Sequence, residues 1–139
     1  MNTSALAVLG YLAWMLVLIL IMEVSRTYLV LSGRHAANTF HPDGTDVSPF
    51  AHRLARAHAN CYEHFPILAG LPLLALATGN TSITDPLAMW LVAARVAQSI
   101  THLISTSPLA VQIRFSLFFA QLAIAAWWVV QLGCRLACT

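Results

Sequence analysis

Residues 1–22 contain no charged side chain, and neither do residues 115–134. Wound as helices, stretches of this length rise about 30 Å at roughly 1.5 Å per residue, the thickness of a bilayer's hydrocarbon core. The rest of the chain points the same way, with 59% hydrophobic and 9% charged residues and a mean hydropathy of +0.74. A soluble domain of this size buries only about 70% of its surface and needs polar residues to cover the remainder. These 139 residues do not supply enough of them. Disordered chains, secreted disulfide scaffolds and ordinary cytosolic enzymes are thereby excluded, and a single lipid-embedded domain over 1–139 is expected.

Four spans follow, at about 5–31, 52–78, 85–105 and 109–135, so the expected fold is an all-α membrane protein, a four-transmembrane-helix bundle. The first span has no basic n-region and no small-x-small site after it, and reads as a retained helix rather than a leader. His41-Pro42-Asp43-Gly44 marks a turn in the one long loop. Pro66 and Pro72 predict kinks in the second span, and Pro108 marks a short turn into the fourth. Arg34, Arg53, Arg56 and Arg114 gather on the side of the long loop, with Arg135 alone opposite. The positive-inside rule puts that loop in the cytoplasm, making this a multi-pass protein with a bacterial inner membrane favoured over endoplasmic reticulum.

Charges inside apolar spans are the informative feature. Glu23, Arg26, Glu63, Arg95, His102 and Arg114 fall in or at the edges of the spans, and a charged residue facing lipid at mid-membrane costs at least about 2.5 kcal/mol. Arg56, Asn60 and Glu63 stand at i, i+4 and i+7, one stripe of a helix. Arg95, Gln98, Ser99 and His102 form a second stripe, and Arg114 with Gln121 a sparser third. Three stripes in four helices imply a shared polar cavity. Arg34, Arg56, Arg95 and Arg114 outnumber Glu63 there, and surplus cations in a low-dielectric site call for a ligand with two or more acidic groups. The competing reading is one Glu–Arg pair with the other stripe residues as interhelical hydrogen-bond glue.

Other signals are weaker. All seven basic residues are Arg and the net charge is +2, too small and too scattered for a nucleic-acid partner. His52, His58 and His64 are six residues apart and point about 120° from one another around a helix, so no metal site is expected. Cys134 and Cys138, one helical turn apart, read as two small apolar residues at a helix end. Ala93 and Ala97, with Ala120, Ala123 and Ala126, would let helices approach closely within the chain or between subunits.

The stretch Arg56-Ala57-His58-Ala59-Asn60-Cys61-Tyr62-Glu63-His64-Phe65-Pro66 closely resembles the second-helix signature of the MAPEG family, the membrane-associated proteins in eicosanoid and glutathione metabolism. The leukotriene C synthase and microsomal glutathione transferase branches look nearest. Four spans, a long first loop, Ala94-Arg95-Val96-Ala97 and an Arg early in the fourth span extend the resemblance over the whole chain.

The resemblance implies a homotrimer that binds glutathione, as cosubstrate, between neighbouring subunits near the cytoplasmic side. It implies glutathione contacts at Arg56, Asn60, Glu63, Arg95 and, matching the family Arg that closes the first helix, Arg34. His64, Gln98 and His102 occupy contact positions where relatives often carry Tyr. Arg114 resembles the Arg that holds the glutathione thiolate, which makes it the catalytic candidate. Phe115 and Phe118 replace the Ser and Tyr of the prostaglandin synthase branch, which argues against prostaglandin isomerisation. The implied activity is a glutathione S-transferase or peroxidase-like attack of thiolate on a lipophilic small molecule from the membrane lipid. A non-catalytic lipid-binding or scaffold member is the alternative, and a proton-coupled transporter using Glu63 and His102 is disfavoured by the absence of an inverted repeat.

Overall fold

The computed structural model describes residues 2–138. They form α1 (Thr3–Leu31), α2 (Pro49–Leu68), α3 (Gly70–Ala77), α4 (Thr81–Ile104) and α5 (Pro108–Ala137). α2 and α3 are one bent rod, so the architecture is an all-α bundle of four helices. Ala69, between them, stays in the right-handed helical region at φ −97°, ψ −31°. Its N–H donates to the Phe65 carbonyl at 2.9 Å and its own carbonyl accepts from the Leu73 N–H at 3.1 Å. Pro66 and Pro72 each withdraw one donor from the ladder, which produces the expected kink and not a break.

Two helix starts are written in the same Ser-Pro dipeptide. The Ser48 hydroxyl accepts from the Ala51 N–H at 3.0 Å and the Ser107 hydroxyl from the Ala110 N–H at 3.3 Å, with Pro49 and Pro108 supplying the fixed φ of the first helical position. α2 therefore begins at Pro49, slightly before the expected span. α4 begins at Thr81, four residues ahead of the expected boundary at 85, and its Asp85 fastens the start of α1. One Asp85 carboxylate oxygen accepts from the Ser4 N–H at 2.7 Å and the Ser4 hydroxyl at 2.6 Å, and Thr84 meets the same hydroxyl at 2.7 Å.

α4 is the central rod and packs on every other helix, most extensively on α5. Tyr11, Leu18, Leu54, Cys61, Leu91 and Trp128 are fully buried around it. Trp128 thus belongs to the core, while Trp90 and Trp127 face outward. α1, α4 and α5 are each long and apolar enough to cross a membrane. Large apolar side chains such as Leu9, Leu16, Val24, Phe119 and Val130 cover their outer faces. In lipid such exposure carries no penalty, so close packing and buried hydrogen bonds hold the bundle together.

The long loop folds back on the first turns of α2. His52 Nδ1 meets the Asp43 carbonyl at 2.9 Å, and the Thr45 hydroxyl and N–H donate to the Asp43 carboxylate at 2.7 and 3.2 Å. Those two Thr45 bonds hold the exposed Asp43 carboxyl below its usual range. Gly44, at φ +68°, lets the loop lie this close: a Cβ there would sit 2.9 Å from the Ala51 backbone carbonyl carbon and oxygen. Gly33 shares the φ of +68° but has open space around it. Gly33→Ala is expected to cost about 1 kcal/mol for the left-handed backbone alone, and Gly44→Ala roughly 2–3 kcal/mol because the loop must also lift. Thermal unfolding of both variants in detergent measures the gap.

Candidate functional site

The α2 stripe divides between two environments. Arg56 and Glu63 are exposed, with Tyr62 beside them at 67% exposure, whereas Asn60 turns toward α4. Its amide oxygen accepts from Arg95 Nη1 at 2.5 Å and from Gln98 Nε2 at 3.2 Å. The Gln98 amide oxygen in turn accepts from Gln121 Nε2 at 2.9 Å, so a polar chain joins α2, α4 and α5. The i, i+3 spacing of Arg95 and Gln98 on α4 lets both reach one Asn.

Arg95 is the anomaly of this chain. It is 1% exposed, and it donates to the Asn60 side chain and, at 3.4 Å, to the Asn60 carbonyl. Its guanidinium carbon lies 5.8 Å from the centre of the Tyr11 ring, whose hydroxyl is held by the Cys61 carbonyl at 2.9 Å. Arg95 Nε and Nη2 are buried without a hydrogen-bond partner among the described residues. A buried cation held by neutral oxygens and a π face is under-compensated by several kcal/mol relative to one with a carboxylate.

A second cation contact lies toward the end of α4. Arg114 Nη1 on α5 approaches His102 Nδ1 at 2.6 Å. Arginine only donates, so Nδ1 carries the lone pair and the imidazole is neutral with its proton on Nε2. Arg56, Arg95 and Arg114 all lie within electrostatic reach of His102. Among the described residues the ion pairs are Arg26–Glu23 at 3.3 Å and His35–Asp46 at 3.0 Å, so none of these three guanidiniums has a carboxylate partner. His64 donates from Nδ1 to the Asn60 carbonyl at 2.8 Å and packs edge-on against Phe118, ring centres 4.6 Å apart.

Asn60, Arg95, Gln98, His102 and Arg114 are therefore gathered, with Arg56 and His64 at their margin. Glu63 shares the outer face of α2 with Arg56, and Arg34 does not join them: it is exposed beyond α1, its guanidinium 6.0 Å from the Tyr28 ring. Within one chain the inner halves of the stripes bond to one another, because each amide supplies both a donor and an acceptor. Tyr11 is a partner of Arg95 that the sequence reading missed, since one aromatic in an apolar run carries no polar periodicity. The loop also groups His41, Asp43 and Asp46, whose ligating atoms lie within 4.8 Å of one another. His41 and Asp46 bond each other there through the His41 N–H at 3.1 Å.

The MAPEG family model matches residues 4–134 of the chain. No curated protein and no solved structure matches it. The geometry itself makes a differential prediction. Asn60→Leu strips Arg95 of its side-chain acceptor and is expected to cost about 2–3 kcal/mol or more, whereas Arg95→Met, which removes the charge and keeps the volume, costs less. Denaturation in detergent with both variants reads the order.

Proposed function

The chain belongs to the MAPEG family, a multi-pass membrane protein of the glutathione- and eicosanoid-related kind, and from that premise we propose that it is a glutathione S-transferase or peroxidase-like enzyme. The observation that carries the reading is that Arg56, Arg95 and Arg114 all lie within electrostatic reach of a neutral His102, and among the described residues none of the three has a carboxylate partner. Glutathione brings two carboxylates and an ionisable thiol, which such a cluster would stabilise in a low-dielectric setting. Arg56 suits a ligand carboxylate, and Glu63 suits the ligand's amino group. Asn60, Gln98 and His64 supply hydrogen bonds at the margin.

Arg114 is the catalytic residue in this reading. Its fixed positive charge favours S⁻ over SH at the bound thiol, and the thiolate, the reactive nucleophile, attacks a lipophilic electrophile from the bilayer. His102 is a positioning residue: its lone pair takes one guanidinium N–H and limits the directions in which Arg114 can turn. Protonating Nδ1 would abolish that acceptor and add a like charge beside Arg114.

Arg56 and Glu63 on an outer helix face cannot be left in lipid without cost. Burial against a second and third copy of the chain, with the glutathione site between them, removes that cost, and the outward alanines at 93, 97, 120, 123 and 126 suit close helix approach. We therefore favour a homotrimer. The loop of residues 32–48 is assigned to the cytoplasmic side on the Arg asymmetry.

The test is the ultraviolet absorbance of thiolate on adding glutathione to protein in detergent. Wild type is expected to give the signal and Arg114→Ala to lose it, with turnover lowered roughly 10²–10³-fold, as for other fixed charge-stabilising donors. Absence of the signal in wild type rejects the thiolate mechanism. If lipid binding persists in that case, the non-catalytic scaffold reading takes its place.

A further inference from the structure

At the end of the bundle where α3 meets α4, the last turns of α5 form one wall of an open cleft of about 520 Å³. Asn80 and Ser82 come from one side, and Gln131, Cys134, Arg135 and Cys138 from the other. Both cysteines are free and exposed, so their thiols are open to a ligand. The cleft belongs to neither the Arg56–Arg114 cluster nor the long loop, and its chemistry is independent of the glutathione reading.

Cys134 lies in the last turn of α5 and Cys138 is the residue that caps it, so their Cβ atoms stand about 5–6 Å apart, close to the spacing of residues four apart on a helix. A disulfide requires roughly 3.5–4.5 Å between its Cβ atoms, so this pair cannot close on itself without unwinding the last turn. The same separation suits two sulfurs on opposite sides of a metal ion. With metal–sulfur bonds of about 2.3 Å, a linear S–M–S unit spans about 4.6 Å, within reach of both side chains by rotation about χ1. The ion this favours is soft and content with two ligands. Zinc completes a tetrahedron with histidine, carboxylate or further thiolate, and among the described residues the cleft lining contains no such group. Thiolates select monovalent copper. Two thiolates and one Cu(I) leave a net charge of −1, beside which Arg135 stands in the same wall.

We propose that Cys134 and Cys138 form a two-coordinate dithiolate site for Cu(I) on the face of the membrane opposite the long loop. Each thiol that binds gives up its proton to solvent, so affinity rises with pH.

The experiment is competition between the full chain, reduced and anaerobic in detergent, and the Cu(I)–bicinchoninate complex. Wild type is expected to withdraw about one ion per chain. Cys134→Ser and Cys138→Ser are each expected to weaken binding by at least about a hundredfold, the upper end of what losing an outer hydrogen-bond partner alone costs at a metal site. Circular dichroism checks that the serine variants keep their helices, and X-ray absorption of the loaded wild type should show two sulfur neighbours. Wild-type affinity in either serine variant, a stoichiometry of half an ion per chain, or nitrogen and oxygen neighbours in place of two sulfurs would each overturn the site.

Discussion

A guanidinium with no acid beside it organises the middle of this bundle. Arg95 sits on the central helix, almost wholly buried, and its charge is met by the Asn60 amide oxygen, the Asn60 carbonyl and the face of Tyr11. In lipid no water is available to take over these bonds, so α1, α2 and α4 must stay together for the charge to be tolerated. Gln98 and Gln121 extend the same hydrogen-bonded chain to α5. Every rod of the bundle touches α4, and the polar chain gives that contact a defined register which apolar packing alone would leave loose.

The same feature that makes the interior costly is the one the proposed chemistry would draw on. Arg56, Arg95 and Arg114 lie within electrostatic reach of His102 and have no carboxylate partner among the described residues. Arg95 and Arg114 are already held by neutral partners, Asn60 and His102, so little reorganisation would be needed for them to meet an anion. The neutral His102 serves this arrangement better than a carboxylate would. It orients Arg114 and leaves its positive charge undiminished.

The helices were largely legible in the sequence, and for identifiable reasons. Charge-free stretches announced α1 and α5, and the structure adds the caps at Ser48-Pro49 and Ser107-Pro108, which the sequence reading did not use. The grouping of Asn60, Arg95 and Gln98 was legible because a polar side chain at helical spacing inside an apolar run is conspicuous. What could not be read was direction. Lipid and protein interior are equally apolar, so the periodicity of α1 does not separate Tyr11, which meets Arg95, from Leu12, which faces outward. Within one chain Arg34 stands apart from the other guanidiniums, beside the Tyr28 ring, a placement set by the turn after α1 and not by helical spacing. The close approach of Gly44 to Ala51, like the exposure of Cys134 and Cys138, depends on tertiary placement that local pattern does not encode.

Isothermal titration of glutathione into the purified wild-type chain, with Arg56→Ala alongside, tests the central claim most directly, since Arg56 is exposed and its removal leaves the core intact. The account predicts saturable binding that weakens with added salt and loses about tenfold or more in Arg56→Ala, the value of one charge-assisted hydrogen bond. Folded protein that takes up no glutathione, or binds it equally with and without Arg56, would contradict it.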